Sequence, residues 1–413
     1  MLKKILGCFV IGILLCFSAI PSSLADDVLE EEEDLEEVLQ TVYETGEELN
    51  LNSRAAVIYD RSSKTILYGK NENERRPMAS TTKIMTAIIV LEKGNLSDTV
   101  EVSKKAAGTG GSRLGLKAQD KISVKDLMYG LLLVSGNDAA VALAEYVGGS
   151  VAEFANLMNQ KAEELGLKDT HFVTPHGLDQ EQHYTTALEL AKLADYAMQN
   201  QTFASIVNTK YYTVTMGGRT KNLSNTNELL GNLEGVNGVK TGFTNGANRC
   251  LVTSVNRSNM NIITVVLGAD TKKMRTQDSV KLIQYAYQNY STINLKDRIK
   301  KEFQNWEQTL LSQIQVQKGL GKLEVELEKT GDIFLSVLKK DEEDIEIKIE
   351  TLSLLEAPIE KGEKIGEVQV IVDGEKKQMI SILVKEEVTR KGVWDYLYEI
   401  MKQYPMFIEN AIK

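Results

Sequence analysis

Ser80-Thr81-Thr82-Lys83 sets a hydroxyl three residues before an amine. In a helix that spacing places both on one face. A serine hydroxyl is a poor nucleophile until a base removes its proton. Lysine serves as that base only when neutral, although its ordinary pKa is ~10.4. Burial, a helix N-terminus and a second cation each push the value down. Lys240 is available as that cation, in Lys240-Thr241-Gly242. There a charge and a hydroxyl, both able to bind a carboxylate, precede a glycine that lets a ligand approach the strand backbone. Between the two motifs lies Ser135-Gly136-Asn137. Ser135 can relay a proton between Lys83 and a leaving amine, and Asn137 can orient Lys83 and hold a substrate amide. Either can also cap a helix opening at Asp138, and the two roles are compatible. The ordered set describes a serine acyltransferase with a lysine base, acting on a substrate that ends in a carboxylate.

Each motif alone is weak. Ser336-Val337-Leu338-Lys339 and Lys329-Thr330-Gly331 repeat two of them. They fall where the pattern alternates, and on a strand Ser336 and Lys339 point to opposite faces. His171, His176 and His183 crowd together near Asp179, but their spacing fits no common zinc pattern. Of Cys8, Cys16 and Cys250, the last alone lies outside the N-terminal apolar run, where it reads as a small buried hydrophobe.

The elements that must position these groups follow from the patterning. Ala55–Tyr59 and Thr65–Tyr68 flank a polar turn and read as a hairpin. Ile84 to Leu91 is apolar on nearly every side, so its helix is central and buried, and Gly94 ends it. Helical patterns run from about 124 to 200, broken at Ser135-Gly136-Asn137 and at Thr174-Pro175-His176-Gly177. Strands return at Tyr211–Val214, Gly238–Lys240, Leu251–Thr253 and Ile262–Leu267, and Arg275–Tyr290 is a closing helix. The first hairpin pairs with the returning strands, with the helices inserted as a lobe, an α+β fold. From about Asn294 helical patterns fade and alternation begins, most cleanly over 344–350. That part is a small all-β sandwich domain.

Lys3 and Lys4, the apolar run Ile5 to Ile20 and Ser23-Leu24-Ala25 form a secretory leader cleaved after Ala25. Asp26 to Glu37 holds nine acids in twelve positions and is a solvated spacer. The formal charge of −10 disfavours nucleic acid as a partner. At the far end Trp394, Leu397, Met401, Tyr404, Ile408 and Ile412 recur at three- and four-residue steps. This amphipathic helix is either a membrane-surface anchor or a helix docked on its own domain. The resulting division is a leader (1–25), an acidic spacer (26–50), a catalytic domain (51–292), a β-sandwich (293–388) and an amphipathic tail (389–413).

With these residues in hand, the chain resembles the serine-type D-alanyl-D-alanine carboxypeptidases, the low-molecular-mass penicillin-binding proteins. Beyond the three motifs the resemblance rests on Asp138-Ala139, on Thr174-Pro175-His176-Gly177-Leu178, on His183-Tyr184-Thr185-Thr186-Ala187 and on Gly238-Val239 with Phe243-Thr244. It implies a β-lactamase/transpeptidase-like catalytic domain (a sheet with a helical lobe), then the β-sandwich and the tail. It further implies that Ser80 attacks the carbonyl between two terminal D-alanines of a peptidoglycan stem peptide and that Lys83 takes its proton. Ser135 passes a proton to the departing D-alanine, and Asn137, Lys240, Thr241 and Gly242 bind substrate. The backbone N–H groups of Ser80 and Phe243 form the oxyanion hole. Water releases the acyl group, β-lactams acylate Ser80, and no cofactor or metal takes part. The exported enzyme works at the outer face of the cytoplasmic membrane, held there by the tail helix. Thr174 departs from the family's usual asparagine, and Asn248-Arg249 from its usual glycine–aromatic pair. On sequence neither pair touches a proposed catalytic group.

Two rivals differ in class. A class A-like β-lactamase would carry S-D-N and a deacylating glutamate in an E-x-x-L-N segment. Here Gly136 stands in the first, and Glu228-Leu229-Leu230-Gly231-Asn232 does not match the second. A catalytically silent cell-wall binding protein is opposed by the intact Ser80, Lys83, Ser135 and Lys240.

Overall fold

The computed structural model describes residues 35–40, 43, 48–258 and 260–403. The leader, most of the acidic spacer and the tail beyond residue 403 lie outside these residues.

Ala55–Asp60 and Thr65–Lys70 form the expected hairpin. The first of them pairs on its other edge with Met260–Ala269, which pairs with Asn248–Arg257, which pairs with Val236–Thr244. The five-stranded antiparallel sheet is covered on both faces. Val57, Tyr59, Ile263 and Val265 face the helical lobe, whereas Ala56, Ile58, Ile262 and Val266 face the closing helix Lys272–Asn289. Successive side chains of a strand alternate between faces, so a strand buried on both reads as an unbroken apolar run.

The lobe gathers Val124–Leu132, Asn137–Gly148, Val151–Glu164, Ala187–Ala197 and Gln201–Val207 around Lys83–Lys93. That central helix buries every residue from Lys83 to Val90. Two expectations need correction. Tyr211–Met216 does not join the main sheet. It pairs with Arg219–Ser224 and Lys121–Ser123 in a separate four-stranded sheet. The break in helical structure is also wider than the Pro-His-Gly stretch: 165–186 carries no helix, only the isolated bridges His171–Tyr184 and Arg76–Thr185 and side chains that bond the backbone.

Beyond the strand Tyr290–Asn294, the part expected to begin with strands begins with the helix Lys296–Thr309. Ile299, Phe303 and Trp306 of that helix enter the core of the all-β part. Its main sheet orders Val325–Leu327, Glu375–Val384, Lys364–Val372 and Ile345–Thr351. Ser336 lies on Phe334–Leu338, where its hydroxyl meets Ser63 Oγ at 2.7 Å, while Lys339 donates to the Tyr287 carbonyl at 2.9 Å. The duplicate motif thus joins the two halves of the chain. Val393–Gln403 is a helix whose Val393, Trp394 and Tyr398 are exposed.

Candidate active site

Ser80 does not lie within the α-helix. Ala79–Thr82 is a turn of 3-10 helix that hands over to α-helix at Lys83. Side chains three apart eclipse in 3-10 geometry, and the Lys83 amine reaches Ser80 Oγ at 2.8 Å. Ala79 takes a φ of +48°, a costly conformation for a residue with a Cβ. Its surroundings enforce it. A Cβ on Gly177 would stand 1.9 Å from the Ala79 carbonyl, so only glycine lets the Pro-His-Gly stretch close over the turn. The strand carrying Gly242 presses from the other side, where a Cβ would come within 3.1 Å of the Ser80 nitrogen.

The Lys83 amine is fully enclosed. Besides Ser80 it touches Asn137 Oδ1 at 2.7 Å and the His176 carbonyl at 2.8 Å. Desolvation, and then repulsion from Lys240, hold its pKa well below the usual lysine range, with Asp138 pulling the other way. Burial and the neighbouring cation, two of the three effects anticipated from sequence, thus act here together. The capping role fails. Gly136 is the N-cap of Asn137–Gly148 and no side chain bonds there. The Asn137 carboxamide instead spans Lys83 and the Gly110 carbonyl, the latter at 2.8 Å.

Ser135 takes a φ of +59° and its Oγ is buried with no hydrogen-bond partner. It opens on a cleft of about 330 Å³ that Ser80, Ser112, Thr226, Thr241, Gly242 and Phe243 also line. Lys240 is only 1% exposed, and its amine donates to the Thr241 carbonyl at 3.0 Å. Thr241 Oγ1 meets Thr226 Oγ1 at 2.7 Å. Ser80, Lys83, Ser135, Asn137, Thr241, Gly242 and Phe243 therefore converge, with Lys240 acting on Lys83 as a buried charge.

Several cleft residues were not anticipated. Arg249 lines it and lies 3.7 Å above the centre of the Phe243 ring. The contact is with the Phe243 ring, not with the backbone N–H group proposed for the oxyanion hole. Arg275 and Lys272 line it too, around Glu228. Asp138 is fully buried. Its carboxylate accepts from the Leu114, Gly115 and Leu116 N–H groups at 2.8, 2.8 and 2.9 Å, pinning the loop that faces Asn137. Only adjacency to the Ser-Gly-Asn motif marks it in the sequence.

The three histidines serve the loop. His183 Nε2 meets Thr82 Oγ1 at 2.7 Å while its Nδ1 accepts from the Val173 N–H. His176 Nδ1 accepts from the Leu178 N–H, and His171 Nδ1 meets the Gln182 carbonyl. Among the described residues no group of three His, Cys, Asp or Glu is placed to hold a metal ion. Cys250 is buried and its thiol is pushed up to about 11 by desolvation, so it is not a ready nucleophile.

Comparison with known proteins shows the family and the fold. A family model described as D-alanyl-D-alanine carboxypeptidase matches residues 42–271. A second, described as the C-terminal domain of penicillin-binding protein 5, matches residues 296–390. The chain is 34% identical to D-alanyl-D-alanine carboxypeptidase DacF of Bacillus subtilis, over 98% of this chain and 100% of that protein. It is 32% identical to DacA of Haemophilus influenzae, over 85% of this chain and 90% of the relative. Among solved structures it is similar to penicillin binding protein 5 from Haemophilus influenzae, with a TM-score of 0.70 at 30% identity, covering 83% of this chain and 99% of that one. It is also similar to DacD from Francisella tularensis, with a TM-score of 0.68 at 28% identity, covering 85% and 97%.

Proposed function

The chain belongs to the D-alanyl-D-alanine carboxypeptidase family and is a serine D-Ala-D-Ala carboxypeptidase, and we propose the following assignment of its residues. Ser80 is the nucleophile and Lys83 the general base. The observation that carries this reading is the enclosed Lys83 amine, 2.8 Å from Ser80 Oγ, whose pKa burial and then Lys240 push well below the usual lysine range. The substrate enters the cleft with its terminal carboxylate toward Thr241 and Arg275, and Lys240 adds positive potential from behind. Ser80 Oγ bonds to the carbonyl carbon while its proton passes to Lys83. The oxyanion forms where the Ser80 and Phe243 N–H groups point. The unpartnered Ser135 hydroxyl then relays the proton from Lys83 to the departing D-alanine nitrogen, and the C–N bond breaks. Water, activated by the same amine, cleaves the acyl-enzyme. A β-lactam enters in the same pose and acylates Ser80. Asn137 orients Lys83 and holds the substrate amide, and Gly242 leaves room for the peptide backbone.

The substrate is a peptidoglycan stem peptide, so the enzyme works outside the cytoplasm, after export by the segment 1–25. Residues 51–292 carry the catalysis and 293–388 hold the site away from the tail. No described helix is long and apolar enough to cross a membrane. The Val393–Gln403 helix leaves Val393, Trp394, Tyr398, Ile400 and Met401 exposed, a surface fit to lie in a membrane interface. Deleting 391–413 and fractionating cells tests that: the protein moves to the soluble fraction, and retention at the membrane overturns the anchor. For the chemistry, D-alanine release from diacetyl-L-Lys-D-Ala-D-Ala is measured for wild type and Ser80→Ala. Release by the wild type alone is expected, and equal release by both overturns the assignment.

A further inference from the structure

The segment Asn225-Thr226-Asn227-Glu228 runs beside the strand that carries Thr241. Its asparagines tie it to the scaffold. Asn225 Nδ2 donates to the Val207 and Thr209 carbonyls at 3.2 and 3.1 Å. Asn227 Nδ2 donates to the Gly238 carbonyl at 3.1 Å, and its Oδ1 accepts from the Leu229 N–H. Asn225, Thr226 and Glu228 line the cleft. Thr226 Oγ1 meets Thr241 Oγ1 at 2.7 Å. Glu228 accepts from Arg275 Nη2 at 2.7 Å and from the Thr276 hydroxyl, with Lys272 Nζ at 3.5 Å.

We propose that this segment is a specificity wall, in which Thr226 and Glu228 are positioning residues that aim Thr241 and Arg275 at the substrate's terminal carboxylate. The inference rests on the reading that those two groups bind it. A hydroxyl has one donor and two acceptor sites. When Thr226 donates to Thr241 Oγ1, the single Thr241 proton is left for a carboxylate. Arg275 is 4% exposed and its Nε has no hydrogen-bond partner. Glu228 and Thr276 both accept from Nη2 of that planar fork, so one arm is held and the freedom of the remaining donors is narrowed. Glu228 is unsuited to be a base itself. Burial raises its pKa, but Arg275, Thr276 and Lys272 outweigh that and keep it below the usual carboxylate range.

The test compares diacetyl-L-Lys-D-Ala-D-Ala with its C-terminal carboxamide, in wild type, Thr226→Val, Thr226→Ser and Glu228→Gln. Wild type prefers the carboxylate. Thr226→Val and Glu228→Gln each raise KM for it about tenfold with kcat little changed, the size of one hydrogen bond to a charged group. Both variants process the carboxamide as wild type does, and Thr226→Ser restores the preference. Equal losses on both substrates mark a merely structural wall and overturn the proposal, as does a preference unchanged in both variants. If wild type itself does not prefer the carboxylate, the binding role of Thr241 and Arg275 fails first, and the proposal falls with its premise.

Discussion

The Lys83 amine stands 2.8 Å from Ser80 Oγ across a single turn of 3-10 helix, and neither group can be moved without unpacking its neighbours. Gly177 and Gly242 close on the turn from opposite sides. Lys83 is fully buried beneath the partly exposed Ser80, and Ser135 is 6% exposed beside them.

Replacing the base by a cation that never deprotonates isolates its role. Lys83→Arg places a permanent positive group in the turn that cannot take a proton, since a guanidinium stays charged in proteins. Acylation by benzylpenicillin then falls by about 10³-fold, within the range of general-base contributions. Stopped-flow or gel-based labelling measures it; an arginine variant acylating within a few-fold of wild type contradicts a lysine base.

Lys240 sets where that base titrates. Its charge lowers the Lys83 pKa, so removing it raises that pKa and leaves less neutral amine at a given pH. Lys240→Met therefore moves the acid limb of the acylation rate to higher pH. The pH profile of penicillin acylation reads this directly. A limb that stays put while the rate drops uniformly assigns Lys240 to binding alone.

Asp138 predicts a stability effect larger than its distance from the chemistry implies. Its carboxylate accepts from three successive loop N–H groups and from Ala139, three of the four bonds buried and the one from Gly115 partly so. In Asp138→Asn one acceptor oxygen becomes a donor facing a donor. The expected loss is about 2–4 kcal/mol, seen as a lowered unfolding midpoint. Acylation slows as well, because the same loop holds Asn137 through Gly110 and Ser112. An unchanged midpoint contradicts the pinning role.

The histidines give the fold an acid limit. Burial, then the Lys83 charge, depress His176 to about 3, and burial, then His171, depress His183 to about 4. Both stay neutral in the folded chain at pH values where an unfolded histidine, near 6.5, is protonated. Between those values the unfolded state binds more protons, so stability falls with falling pH, at about 1.4 kcal/mol per pH unit for each ring. It is complete above about 6.5 and lost through the window down to about 4 and 3. Denaturant midpoints for wild type and His183→Gln check it: the variant shows a shallower decline below pH 6.5, and parallel declines refute the assignment.

Much of the site was legible because its groups are local motifs on patterned elements. The spacing of Ser80 and Lys83 needs only one turn, and the apolar run after Lys83 announced its burial. What escaped was long-range. Glu228 and Arg275 meet across 47 positions, and nothing in the sequence pairs them. Arg249 was noted as a departure, but its stacking on Phe243 depends on cross-strand register between adjacent strands. The Lys296–Thr309 helix was missed because only Ile299, Phe303 and Trp306 are buried on an otherwise polar stretch. Three apolar residues on one stripe give a weak helical signal beside the strong alternation that follows.

The most direct test is site-resolved mass spectrometry after brief exposure to benzylpenicillin. The account predicts one penicilloyl group per molecule, carried by the peptide containing Ser80, and no adduct in Ser80→Ala. An adduct on any other residue, or none on a wild-type protein that still releases D-alanine, contradicts it.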